Sequence, residues 1–338
     1  MRNDRLKWGI LGTGRIAASV LGAIRATSNG TVHAVASRDP VRGQAFATQH
    51  AVPVLHATYQ DLVRDPAIDI VYIPLPVSEH AAWALRAIQA GKAVLVEKPF
   101  ALNAAEAQSV LRAGAAANLA VGEAMMYRFH PLTQRARSLV QGGAVGEPRV
   151  VRSTFCVDIS DRTDIRWNPK TGGGAMRDLG CYCIDVSRHL LGAEPDAAHG
   201  VAIDALGVDA SFSASLRFPT AVASFSITID ASFECSYEVI GTTGRIRVDH
   251  GGMVAWPGGE FAITTWDKQG RKEELIPPAN HYQLMAEAFA AQVRDQVPYP
   301  ISAADTLANH RWMDALMACR EAPISVNAGR PGASSARG

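Results

Sequence analysis

The chain has 338 residues, enough for two domains with sizeable cores. Its 33 Lys and Arg against 32 Asp and Glu leave a net charge of +1, which excludes the basic field of a nucleic-acid-binding protein. With 48% hydrophobic and 19% charged residues it has the balance of a soluble globular protein, and no apolar run approaches the ~18–20 residues needed to span a bilayer.

Met1-Arg2-Asn3-Asp4 runs directly into the first apolar segment, which leaves no room for a signal peptide, so a cytoplasmic location is expected. Cys156, Cys181, Cys183, Cys235 and Cys319 have no Cys-x-x-Cys spacing and read as reduced, packed thiols; no metal site is expected.

The first element, Leu6–Leu11, is an apolar run with the character of a buried strand. It meets Gly12-Thr13-Gly14-Arg15-Ile16-Ala17, a Gly-x-Gly-x-x-Ala turn, and passes into a helical pattern over Arg15–Ala26. Gly12 permits a tight turn, Gly14 lets backbone amides approach a pyrophosphate, and Ala17 is small enough for close helix–strand packing. The positive end of the helix then faces the phosphates. Strand, turn and helix in this order point to a dinucleotide site.

Further strands are expected at Thr31–Ser37, Asp69–Ile73, Ala93–Glu97 and Ala120–Glu123, with helices near Pro40–His50, Ser78–Ala90 and Asn103–Asn118. Such alternation predicts a doubly wound parallel sheet, a Rossmann domain over residues 1–125. Its ligand belongs beyond the carboxyl ends of the strands.

From Gly146 the rhythm changes. Ser211–Phe218 and Ala223–Ile229 alternate strictly, as strands with one apolar and one polar face do. Arg149–Val157, Tyr237–Ile240, Arg245–Val248, Met253–Trp256 and Phe261–Trp266 are further strand candidates, with a helix near Met176–Leu191 and late helices at Tyr282–Val293 and Ala303–Arg320. Residues 126–326 are therefore expected to form an α+β domain with an open, mostly antiparallel sheet. Its outer face is rich in Ser and Thr and poor in charge, so it is expected to pair with a second subunit as a homodimer. Residues 327–338, dominated by small polar side chains, read as a flexible tail.

The second strand ends Val35-Ala36-Ser37-Arg38, with Arg42 one helical turn on. An NAD site wants a carboxylate there for the ribose 2′-hydroxyl, whereas a 2′-phosphate wants cations and small donors. Ser37, Arg38 and Arg42 can hold that phosphate, and Asp39 before Pro40 reads as a helix start, so NADP is the expected cofactor.

Two constellations carry chemistry. Lys98 follows the apolar run Val94-Leu95-Val96-Glu97, which places an ammonium at the carboxyl end of a buried strand, able to bind a substrate oxygen and lower the pKa of a neighbouring acid. Downstream, Gly172-Gly173-Gly174 precedes Asp178, Tyr182 and Asp185, which fall on one face if the segment is α-helical.

Gly12–Ala17, the Pro74-Leu75-Pro76-Val77-Ser78-Glu79-His80 turn, Glu97-Lys98-Pro99 and Gly-Gly-Gly-x-x-x-Asp-x-Gly-x-Tyr together resemble the glucose–fructose oxidoreductase / inositol dehydrogenase / rhizopine-catabolism superfamily. Tyr182, where many members carry His, resembles the branch with aldose dehydrogenases and dimeric dihydrodiol dehydrogenase. The resemblance implies Tyr182 as general acid/base, Lys98 as its pKa-lowering partner and oxygen anchor, and Asp178 as an orienting carboxylate. It further implies cofactor contacts from Leu75, Pro76, His80, Glu97 and Trp167, and substrate contacts from Arg128, His130 and Asp164. The implied reaction is NADP-linked hydride transfer at a sugar, foremost C1 of a pyranose aldose giving the aldonolactone, with the cofactor retained between two sugars as one variant. The alternatives are a reductase of a ketosugar or other small carbonyl, and a non-catalytic NADP-sensing protein.

Overall fold

The computed structural model describes residues 5–320. The first layer is built from β1 (Leu6–Leu11), α1 (Arg15–Ala26), β2 (Gly30–Ala36), α2 (Pro40–Gln49), β3 (Val54–His56), α3 (Tyr59–Arg64), β4 (Ile70–Ile73), α4 (Val77–Gln89), β5 (Ala93–Glu97), α5 (Ala104–Ala116) and β6 (Val121–Ala124). Its parallel strands run in the order β3-β2-β1-β4-β5-β6, so the order reverses between β1 and β4. Ile10, Ile70, Val94 and Leu95 are wholly buried, and each such side chain stabilises the sheet by about 1.5–3 kcal/mol. Asp39 accepts from the amides of Val41 and Arg42 and so caps α2 with Pro40 in its first turn.

The second layer comprises α6 (Pro131–Gln141), β7 (Pro148–Asp158), α7 (Cys181–Leu191), β8 (Ala197–Ala205), β9 (Val208–Arg217), β10 (Val222–Thr228), β11 (Asp230–Gly241), β12 (Arg245–Val248), β13 (Phe261–Asp267) and β14 (Gly270–Ile276). The sheet order is β14-β13-β12-β11-β7-β10-β9-β8, antiparallel except where β10 lies parallel to β7. One face carries Phe212, Leu216, Phe225 and Ile227 into the core under α7. On the other, Ser213 faces Ser226 and Val201, and Ser211 faces Ile203. Val201 and Ile203 are 61% and 70% exposed there.

Two closing helices tie the layers together. In α8 (His281–Asp295), Phe289 packs on Trp8, and the Glu287 carbonyl accepts from Asn29 at 2.9 Å. At α9 (Ala303–Cys319), the Asp314 carboxylate accepts from the Ala104 amide at 2.8 Å, and α9 also packs on β8, so it flanks both sheets. No described helix is long and apolar enough to cross a membrane.

Two sequence expectations change. Met253–Trp256 is a loop rather than a strand: Gly251 turns the chain at φ +63°, and the amides of Gly252 and Met253 bond to the Cys235 carbonyl and Sγ, so Met253 enters the core without a ladder. The stretch from Met176 to Leu191 is not one regular helix, because Met176–Gly180 forms a π turn before α7. The tail at 327–338 lies outside the described residues.

Candidate active site

A cleft of about 980 Å³ lies between the layers, over the carboxyl ends of β1, β4 and β5. That is at the upper end for a small-molecule site. Gly12, Thr13, Gly14, Arg15 and Ile16 form its floor. Gly12 stands at φ +93°, and a Cβ there would meet Leu75 at 3.1 Å. Gly14 is the N-cap of α1 and offers no side chain to bind the helix's first amides, which leaves them to an anion in the cleft. No atom lies within 4 Å of where a Gly14 Cβ would stand, so open space adjoins this turn.

Ser37, Arg38 and Arg42 line the far end, and Leu75 and Pro76 form the opposite wall. The Arg38 guanidinium lies 5.7 Å from the Tyr59 ring centroid and pairs with Glu79 at 3.0 Å. Asp39 gives its carboxylate to the α2 cap, so β2 ends without a free carboxylate for a ribose 2′-hydroxyl. This amide-lined floor and cationic end fit a dinucleotide carrying a 2′-phosphate.

The reacting end is built from β5 and the π turn. Lys98 donates from Nζ to the Asp178 carbonyl at 2.8 Å and to Asp178 Oδ1 at 2.9 Å. Arg166 donates from Nε to Asp178 Oδ2 at 2.6 Å and pairs with Asp164 at 3.2 Å. Burial works to raise the Asp178 carboxyl, but Lys98 and Arg166 outweigh it and hold the group well below the usual carboxylate range. Burial likewise opposes the charge on Lys98, and Asp178 more than restores it.

Tyr182, in the first turn of α7, is 2% exposed, and among the described residues its hydroxyl bonds only to Met126 Sδ, at 3.3 Å. A thioether is a weak acceptor, so the phenol is available to a substrate. The Lys98 ammonium lies over the ring, 4.7 Å from its centroid, rather than on the hydroxyl. Burial, then Tyr282, push the Tyr182 phenol well above its ordinary value. The expectation that Lys98 lowers it is thus not met in this state: two of the ammonium's protons go to Asp178 and none to the phenol. Glu97, beneath Lys98, accepts from the Tyr72 hydroxyl at 2.5 Å, and burial raises it to about 7.

Four residues expected to make contacts lie outside the cleft lining. His80 is buried behind the wall with its ring nitrogens against the carbonyls of Leu75 (2.7 Å) and Pro99 (3.0 Å). Burial lowers it to about 4, against the pull of the two carbonyls, and the ring braces the turn from outside the cleft lining. Trp167 is 3% exposed, donates to the Ile159 carbonyl and is covered by Arg162, so it stiffens its loop from behind. Arg128 points away from the cleft, since the 3₁₀ turn Met126–Phe129 sends Met126 inward and Arg128 onto Asp185 (2.5 and 2.8 Å) and Asp305. His130 is fully buried, caps α6 through the Leu132 amide and packs on Phe261. Asp185 does not share the face of Asp178, because the π turn rotates the upstream residues and Asp185 closes on Arg128 and Tyr127.

Arg166, Tyr59, Phe155 and Tyr282 also line the cleft and went unassigned from sequence. Only Arg166 had a signal, since it lies between Asp164 and Trp167, both named from the resemblance; the others are isolated aromatics without a local pattern.

Residues 6–124 match the family described as oxidoreductase family, NAD-binding Rossmann fold (GFO_IDH_MocA), and residues 133–247 match its GFO/IDH/MocA C-terminal domain. The chain is 33% identical to D-xylose 1-dehydrogenase (NADP(+)) 2 of Haloferax volcanii over 95% of this chain and 99% of that protein. It is 32% identical to trans-1,2-dihydrobenzene-1,2-diol dehydrogenase of Mus musculus over 81% and 80% of the two chains. Among solved structures, KijD10, a 3-ketoreductase from Actinomadura kijaniata in complex with NADP and TDP-benzene, superposes with a TM-score of 0.89 at 25% identity, covering 93% of this chain and 98% of that one.

Proposed function

The chain belongs to the GFO/IDH/MocA oxidoreductase family, and on that premise we propose that it transfers a hydride between NADP and C1 of a pyranose aldose, interconverting aldose and aldonolactone. The observation that carries the reading is the convergence of Lys98, Asp178 and Tyr182 at the end of β5, in the cleft that begins at the Gly12–Arg15 turn. In this reading residues 1–125 bind the cofactor and 126–326 bind the sugar. NADP is favoured over NAD by Ser37, Arg38 and Arg42 together with the engagement of Asp39 in its helix cap.

NADP supplies the hydride-accepting carbon when bound. Lys98 has two of its three ammonium protons committed to Asp178, and the third binds the C1 oxygen. In the oxidative direction Tyr182 first gives up its own proton to solvent and, as the phenolate, takes the hydroxyl proton while the C1–H pair leaves as hydride and C1 becomes a carbonyl. Asp178, held by Arg166, keeps the ammonium charged and aimed. Thr13, Arg15 and Ile16 offer backbone amides to the pyrophosphate, while Leu75, Pro76 and Glu97 border the nicotinamide end and Asp164 the sugar.

A second reading, reduction of a ketosugar or other small carbonyl, draws on the raised Tyr182: a protonated phenol is the acid that a developing alkoxide needs. The polar face bearing Ser213, Ser226, Val201 and Ile203 supports a homodimer, since the two exposed branched residues gain by burial. A panel of aldoses, alditols and ketosugars, offered with both nicotinamides and followed by the NADPH absorbance band, tests the assignment. Aldose-dependent NADPH formation supports the first reading, carbonyl-dependent consumption alone the second, and binding without turnover refutes both.

A further inference from the structure

The π turn that carries Asp178 is not capped by its own N-cap residue, Ala175, which makes no side-chain bond. Its Met176 amide instead donates at 2.6 Å to Oδ2 of Asp209, which reaches across from β9 in the second sheet. Asp209 is 1% exposed. The same carboxylate lies directly behind the three-glycine turn: a Cβ on Gly174 would stand 2.1 Å from Asp209 Oδ1, and Gly174 is at φ +111°. Glycine is therefore required there twice over, by backbone conformation and by the approach of the carboxylate. The adjoining bonds lead to the reacting groups. The Gly174 amide donates to the Arg166 carbonyl at 2.9 Å, and the Asp178 amide donates to the Gly174 carbonyl at 3.1 Å.

We propose that Asp209 is a positioning residue for the reaction: by holding the Met176 amide and the Gly172–Gly174 turn, it fixes where Asp178 meets Lys98 and Arg166. The proposal rests on the reading of Lys98, Asp178 and Tyr182 as the reacting groups. Its physical basis is that a π turn closes i→i+5 bonds, here from the Cys181 amide to the Met176 carbonyl, and is less favourable than α-helix unless its surroundings impose it. A buried charged acceptor on the first free amide imposes it. Burial raises the Asp209 carboxyl to about 6, against the Met176 amide and the facing charges of Arg177 and Arg320, and either protonation state leaves Oδ2 able to accept from the Met176 amide.

Asp209→Asn keeps the shape and removes the charge, while Gly174→Ala disturbs the same contact from the other side. Both variants are compared with the full-length wild type by kcat and KM for sugar and NADP, and by amide hydrogen exchange of the peptide spanning 172–180. In each variant kcat falls about ten- to hundred-fold, the KM for NADP stays within about twofold, and exchange quickens in that peptide and not in the first sheet. The double variant loses no more than the worse single one. Wild-type kcat in Asp209→Asn, or wild-type exchange in that peptide, overturns the proposal. If Asp209→Asn fails to fold, Gly174→Ala carries both arms with the same outcomes. Exchange needs no substrate, so it still decides the role of Asp209 if the wild type turns over no sugar and the functional reading falls.

Discussion

The Lys98 ammonium sits 4.7 Å above the Tyr182 ring centroid and is tied to Asp178 rather than to the phenol hydroxyl. Lys98 thus packs its charge over the Tyr182 ring face without lowering the phenol, and acts directly on whatever oxygen takes its free proton. Lys98→Ala is expected to lower kcat/KM for the sugar by at least about a hundredfold, because it removes an oxygen donor and leaves Asp178 without its main countercharge. The Asp178 carboxyl then rises toward its ordinary value, so the acid side of the pH–rate profile moves upward. Steady-state kinetics across pH checks both effects.

Cofactor choice turns on Arg38 and Arg42. A charge-assisted bond to phosphate contributes about 1.5–3 kcal/mol, so Arg38→Ala should raise the KM for NADP about ten- to hundred-fold and leave that for NAD within about threefold. Competitive titration of NADPH fluorescence measures it, and an unchanged NADP preference contradicts the assignment.

The buried Arg128 network is structural. Arg128 and Asp185 have side chains only 5% exposed, and removing one partner strands a charge. Asp185→Ala is therefore expected to cost about 3–5 kcal/mol of stability, read from urea unfolding. If Arg128 instead bound substrate, the loss would fall on KM with stability intact.

How much of this was legible in the sequence follows from how local each signal is. The β1–turn–α1 unit could be read because the strand is buried and apolar from Trp8 to Leu11 and its turn needs glycine at fixed positions. The Lys98–Asp178 contact joins residues 80 apart, and nothing in either segment encodes the meeting. The π turn was hidden for a related reason: the cap that imposes it, Asp209, comes from another strand. Arg128 and His130 read as site residues because buried polar groups carry no local mark of their partners, here Asp185, Asp305 and the Leu132 amide. The edge strand β14 escaped notice because Arg271, Lys272, Glu273 and Glu274 make it charged, which also protects the edge from pairing.

Stability depends on pH through Glu123, which is 2% exposed and raised to about 8, chiefly by burial and then by Asp185. The folded state holds a proton that the unfolded chain releases near 4.5, so the stability this group contributes is complete below that pH and is lost as pH rises through about 8. The slope is about 1.4 kcal/mol per pH unit. Melting temperatures taken between these limits should fall more steeply for wild type than for Glu123→Gln, and parallel curves would refute the shift.

The central claim, that Tyr182 moves the substrate proton, is tested most directly by turnover and NADP affinity of Tyr182→Phe, measured side by side. The phenyl ring keeps the packing on Phe155 and Tyr127 and the face beneath Lys98. The account predicts a kcat lower by about 10²–10⁴ with the NADP dissociation constant unchanged. A Phe variant that turns over at the wild-type rate would contradict it and hand the proton to another group.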